Sequence, residues 1–146
     1  MIFGGTTEGR ELSRRLAEAG ADVTVSVASD YGSEEQGEQP GVTVLSGRMP
    51  VEEMTARLRE MDLCVDATHP YAVRVTDSIA RACAESATPR LRLLRAGSEY
   101  PAGTLLMKSA AEALDVPMLV LRRPEEEGEG FETVLAACLE RMKEET

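Results

Sequence analysis

Short apolar runs alternate along the chain with stretches whose apolar residues recur every three or four positions. Ile2-Phe3 is apolar and stops at Gly4-Gly5. From Thr7 to about Ala19, the residues Leu12, Leu16 and Ala19 share one face and Gly20 follows as a stop, which predicts a helix. Val23 to Val27 predicts a strand, the polar glycine-containing stretch from Asp30 to Gly41 a loop, and Val42 to Leu45 a second β-rich run. Pro50 opens the next helix, where its missing N–H costs little. Val51, Met54, Leu58 and Met61 form the buried face of that helix. Leu63 to Val65 predicts a short buried strand ending at Asp66, followed by a helix marked by Val75, Ile79 and Cys83 and a strand from Pro89 to Leu94. Beyond a loop-like stretch from Ala96 to Gly103 come a short helix near Met107 to Leu114 and a strand from Pro117 to Leu121. A terminal amphipathic stripe of Phe131, Val134, Leu135, Cys138, Leu139 and Met142 closes the pattern.

Strands separated by helices of this length predict an α/β fold: a Rossmann-like, mainly parallel sheet of five or six strands with helices on both faces. Composition agrees, since 42% hydrophobic and 29% charged residues describe a soluble globular chain. With aromatics at 3% and no Trp, the core is expected to be aliphatic. The net charge of −10 disfavours nucleic acid and anionic membranes as partners. Much of that charge lies in residues 125–146, which hold eight Glu against Arg141 and Lys143 and read as a solvated acidic end. Cys64, Cys83 and Cys138 each lie in an apolar segment and are expected to be buried free thiols of a cytoplasmic protein. No apolar run approaches the roughly 18 residues of a membrane span. The glycine motif follows Met1 so closely that no signal peptide is expected. No metal site is expected.

Candidate chemistry gathers where strands give way to helices. Gly4-Gly5-Thr6-Thr7-Glu8-Gly9 lies between the first strand and the first helix. A helix N-terminus there suits phosphate, and glycine lets the backbone approach it. The spacing departs from G-x-G-x-x-G because Thr6 stands at the middle glycine, so a tight turn with Thr7 as N-cap is the other reading. Asp66-Ala67-Thr68-His69-Pro70-Tyr71-Ala72 is a polar turn on the same rim and contains the chain's one histidine. His69 is either a ligand-site residue or a hydrogen-bonding cap, and Asp66 with Thr68 could equally cap the helix begun by Pro70. Among the arginines, most read as exposed ion-pair partners, but Arg122 and Arg123 end an apolar strand before Pro124. A carboxylate-rich ligand would need such local guanidinium groups on a chain this acidic.

Several blocks, in order and spacing, resemble the precorrin-6A reductase family: Phe3 to Arg10, Val25-Ser26-Val27-Ala28, Gly47-Arg48, Val65 to Ala72, and Leu91-Arg92 with Arg95. The resemblance runs to about Arg95 and resumes near Tyr100, through Ala102-Gly103, Lys108, Ala110-Ala111 and Val120 to Pro124. Family members are longer and carry two Rossmann-like domains facing each other across a cleft. The resemblance therefore implies that a large middle segment is missing here, between Arg95 and Tyr100. It also implies a division into a nucleotide-binding domain (1–95), a junction loop (96–103) and a strand–helix remnant of the second domain (104–146).

The activity implied is NADPH- or NADH-dependent reduction of precorrin-6A, or its cobalt form, to the 6B form in cobalamin biosynthesis. The alternative is a nucleotide-binding module that has lost turnover. On this resemblance Gly4, Gly5, Thr6, Thr7, Glu8 and Gly9 would hold the cofactor pyrophosphate, and Ser29 and Arg48 would lie near the adenosine ribose. Asp66 and Thr68 would join the cofactor site, and His69 and Tyr71 would lie near the nicotinamide and the substrate. Arg92, Arg95, Lys108 and Arg123 would meet the carboxylates of a tetrapyrrole substrate. A homodimer is a further expectation, since a second chain would rebuild the cleft.

Overall fold

The computed structural model describes residues 1–95 and 127–144. Five strands form one sheet: β1 (Ile2–Phe3), β2 (Val23–Val27), β3 (Val42–Ser46), β4 (Cys64–Asp66) and β5 (Arg90–Arg92). Their order is β3-β2-β1-β4-β5, and every pairing is parallel. β1 is central, with Ile2 opposite Val25 on one side and Val65 on the other. The chain moves outward through β2 and β3, then crosses back to β4 and β5. That reversal at β1 makes the gap between β1 and β4 the switch point at which open α/β sheets bind ligands.

Among the described residues five helices cover the sheet: α1 (Thr7–Glu18), α2 (Asp30–Gln36), α3 (Val51–Leu58), α4 (Val73–Ser86) and α5 (Phe131–Glu144). Alternation along the strands divides the core into two layers. Ile2, Val25 and Val65 pack with Leu12 and Leu16 of α1 and with Val134, Leu135 and Cys138 of α5. Phe3 and Cys64 face the other way, onto Met54 and Leu58 of α3 and Ile79, Ala82 and Cys83 of α4. The central strands β1 and β4 are buried on both faces, β2 alternates Val with Thr24 and Ser26, and the edge strands β3 and β5 are only partly buried. All three cysteines are buried and free.

The terminal stripe docks onto the first half of the chain. α5 packs against α1 and shares its core with the sheet. An isolated parallel bridge between Leu93 and Glu129 leads into it. Within the described residues no helix is long and apolar enough to cross a membrane. The expected helix near Met107 and strand near Pro117 lie outside the described residues, as do Lys108 and Arg123.

One element departs from expectation. Residues 30–36 of the stretch read as a loop form α2, capped by the Ser29 hydroxyl, which accepts from the Gly32 N–H at 3.2 Å. Its single buried residue is Gln36, so it presents no apolar stripe. The fourth helix also starts later than Pro70, at Val73, because residues 69–72 form a turn in which the Ala72 N–H donates to the His69 carbonyl at 2.8 Å.

Candidate functional site

Above the C-terminal ends of β1 to β4 lies a cleft of about 1100 Å³. Its floor is Phe3, Gly4 and Gly5, and its walls are the turns after β2, β3 and β4. Clefts of this size suit an extended ligand such as a dinucleotide.

The glycine loop divides its work among its residues. Gly4 sits tightly over β2, since a Cβ there would lie 3.1 Å from Val25 Cγ1. Gly5 has φ +129° and open space where a Cβ would project, so the backbone needs glycine and the space above it is free for a ligand. Gly9 has a different role. It is buried, and a Cβ on it would lie 2.8 Å from Ala67 Cβ, so it allows α1 to approach the end of β4. It does not line the cleft. Thr6, not Thr7, is the N-cap: its hydroxyl accepts from the Gly9 N–H at 3.1 Å and donates to the Ala67 carbonyl at 2.9 Å. Thr6 and Thr7 both line the cleft. Glu8 does not line the cleft and lies 3.9 Å from Arg95 Nε.

Ser29 and Arg48, which follow β2 and β3, both line the cleft. Among the described residues Arg48 has no carboxylate within ion-pair distance. Asp30, one residue past Ser29, accepts a hydrogen bond from the Ser46 hydroxyl at 2.7 Å and does not line the cleft. Arg10 does line it, held by donation to the Glu35 carbonyl at 2.7 Å.

The turn after β4 splits between core and cleft. Thr68, His69, Tyr71 and Ala72 line the cleft, whereas Asp66 is wholly buried beneath it. Asp66 Oδ1 accepts from the Thr68 N–H at 3.2 Å, the Thr68 hydroxyl at 2.7 Å and Arg92 Nη1 at 2.7 Å. Arg90 Nη1 lies 3.5 Å from the other oxygen. The Arg92 side chain is only 6% exposed. The Arg92 guanidinium is thus buried and paired with Asp66, and neither residue lines the cleft. Arg95 is half-exposed beside Glu8 and does not line the cleft either. His69 and Tyr71 are exposed and stack, with ring centroids 5.4 Å apart, and the Tyr71 N–H donates to His69 Nδ1 at 3.4 Å.

Two aromatic and cationic features were not assigned to the site from sequence. Among the described residues the exposed large hydrophobic ones are Tyr31, Tyr71 and Val73, and all three border the cleft. Tyr31 was hidden by reading α2 as a loop. Arg74, also on the rim, has no ion pair among the described residues. Nothing in its sequence context separates it from the other surface arginines.

Comparison with known proteins identifies the family. The family model described as precorrin-6x reductase CbiJ/CobK matches residues 1–109. A cobalt-precorrin-6A reductase of Priestia megaterium is 32% identical over 114 residues, covering 77% of this chain and 44% of that protein. A precorrin-6A reductase of Mycobacterium tuberculosis is 35% identical over 122 residues, covering 80% of this chain and 47% of that one. The solved structure of a CobK precorrin-6A reductase superposes with a TM-score of 0.59 at 27% identity, over 70% of this chain and 41% of that chain. The chain thus spans less than half the length of these relatives. With the family's model matched across three quarters of its length and the parallel sheet shared with a solved member, this chain belongs to the precorrin-6x reductase family, CbiJ/CobK.

Proposed function

We propose that this chain forms the NADPH-binding wall of a precorrin-6A or cobalt-precorrin-6A reductase. The observation that carries the reading is Gly5: a positive-φ glycine opening on empty space at the sheet's switch point, directly before the N-terminus of α1. Bound there, a reduced nicotinamide dinucleotide supplies the hydride.

The chain's own residues bind and orient. First-turn N–H groups of α1 not used by the Thr6 cap face the pyrophosphate. Ser29 and Arg48 take the ribose end. Asp30, after β2, is engaged by the Ser46 hydroxyl outside the cleft, the cleft-lining Glu35 is paired with Arg10, and Arg48 stands ready for a 2′-phosphate, which favours NADPH over NADH. The exposed Tyr31 ring borders the same end and offers a face for the adenine. At the other end the Tyr71 N–H occupies His69 Nδ1, leaving Nε2 toward the ligand as the atom that holds or gives a proton. Arg74 is suited to a substrate carboxylate, with Lys108 and Arg123 as further candidates outside the described residues.

The described cleft is one wall, and reduction of a ring double bond needs donor and acceptor carbons held in near contact with water excluded. The residues divide accordingly into a cofactor-binding part (1–95), a junction (96–103) and a terminal part (104–146). Turnover far below that of a full-length relative follows, unless a second chain closes the cleft. The test follows NADPH oxidation with precorrin-6A as substrate, for this chain and a full-length relative side by side. Slow, NADPH-dependent turnover supports the reading. Comparable turnover by a verified monomer contradicts the need for a second wall, and none in any association state contradicts a reductase role for this chain.

A further inference from the structure

We infer that Asp66, Thr68 and Arg92 form a buried brace that positions the His69–Tyr71 turn, and that Arg92 acts on the reaction through this turn. Arg92 projects from the edge strand β5 across β4. Its Nη1 lies within hydrogen-bond distance of four acceptors: the Asp66 carbonyl at 3.2 Å, Asp66 Oδ1 at 2.7 Å, the Thr68 carbonyl at 3.1 Å and Thr68 Oγ1 at 3.2 Å. All four belong to the two residues that bracket Ala67. The Thr68 hydroxyl also meets Thr76 Oγ1 at 3.1 Å, which ties the turn to the first turns of α4.

The opposite side of the same turn is fixed independently. Thr6 donates to the Ala67 carbonyl, and the missing side chain of Gly9 lets α1 close against Ala67. The backbone at residues 66–68 is thus held from β5, α4 and α1 together. The next residue, His69, is the first one the turn exposes to the cleft. A charge pair this deeply buried is a costly way to hold a strand edge if an apolar pair would serve, and it becomes intelligible when the object held is a reacting side chain. Arg92 and Asp66 do not line the cleft themselves and meet it through Thr68, so they are positioning residues and not ligands.

The inference rests on reading His69 and Tyr71 as the reacting end of the cleft, but its test needs neither cofactor nor substrate. His69 is the one histidine of the chain, so histidine-selective labelling gives a single imidazole signal in NMR. In the ligand-free protein its ring protons are expected to show cross-relaxation to the Tyr71 ring. Thr68→Val keeps the side-chain shape and removes the hydroxyl. It is expected to abolish that contact and to speed exchange of the Tyr71 amide by about tenfold or more, while the sheet amides stay protected. Thr68→Ser is expected to restore both signals, and Arg92→Met to behave like Thr68→Val. If Arg92→Met does not fold, the two Thr68 variants decide alone. An unchanged His69–Tyr71 contact in Thr68→Val, its loss in Thr68→Ser as well, or its absence from the unsubstituted protein overturns the inference. A failure to bind NADPH would overturn the cofactor reading and leave these signals untouched.

Discussion

A methyl group placed on Gly9 would sit 2.8 Å from the Cβ of Ala67, so the first turn of α1 and the end of β4 are in contact with no space for a side chain between them. The site depends on that contact, because Ala67 belongs to the turn that carries His69. Gly9→Ala is therefore expected to push α1 away from β4 and to destabilise the fold by about 1–3 kcal/mol, as overpacking does. Thermal unfolding of the variant checks it. An unchanged midpoint would mean that the helix moves freely.

Arg48 is the expected discriminator between the two nicotinamide cofactors. Arg48→Ala should weaken NADPH by about tenfold, the scale of one charge-assisted phosphate contact, and leave NADH nearly unaffected. Calorimetric titration of each cofactor reads the ratio directly. Equal losses for both would place Arg48 away from the 2′-phosphate.

His69 is exposed, and its ring contact is with the equally exposed Tyr71. His69→Ala should shift stability by no more than about 0.5 kcal/mol, the range of surface substitutions, while lowering turnover in whatever assembly is active. A large loss of stability would make the residue structural.

Cys138 links α5 to pH. Burial raises its thiol from 9.0 to about 11, so the folded state holds the proton more tightly than the unfolded chain. That contribution is fully present below about pH 9 and is lost as pH rises toward 11. On the order of 2 kcal/mol of stability should disappear across that window, with Cys138→Ala showing a smaller loss. Denaturant melts at pH 8 and pH 10.5 compare the two proteins. An identical slope in the variant would assign the alkaline loss to other groups.

The sheet was legible because Val23 to Val27 alternates Val with Thr24 and Ser26 at the period of a strand, and Cys64-Val65 is a short, wholly buried apolar run. The apolar stripe from Phe131 to Met142 likewise had to be covered, and α1 with the sheet covers it. α2 was not legible by periodicity, since a helix that buries only Gln36 carries no stripe, although Ser29 followed by Asp30 is an ordinary helix-start signal. At the site, the sequence places the glycine loop and the Asp66–Ala72 block on one rim but does not separate cleft from core within them. Asp66 and His69 lie three residues apart, one wholly buried and one exposed, and only the reach of Arg92 from β5 distinguishes them. That contact spans 26 residues of sequence, beyond what local pattern encodes.

The central claim is that the loop at Gly5 is a cofactor-binding surface and not merely a turn. The direct measurement is a titration of NADPH into the purified chain and into Gly5→Val, followed by the fluorescence of the bound cofactor, with circular dichroism confirming that both are folded. A β-branched side chain at φ +129° would be strained and would project into the open space above the loop. The account predicts saturable binding by the unsubstituted chain and at least a tenfold weaker affinity for the variant, about 1.4 kcal/mol. No saturable binding by the unsubstituted chain, or equal affinity in a folded Gly5→Val, would contradict it.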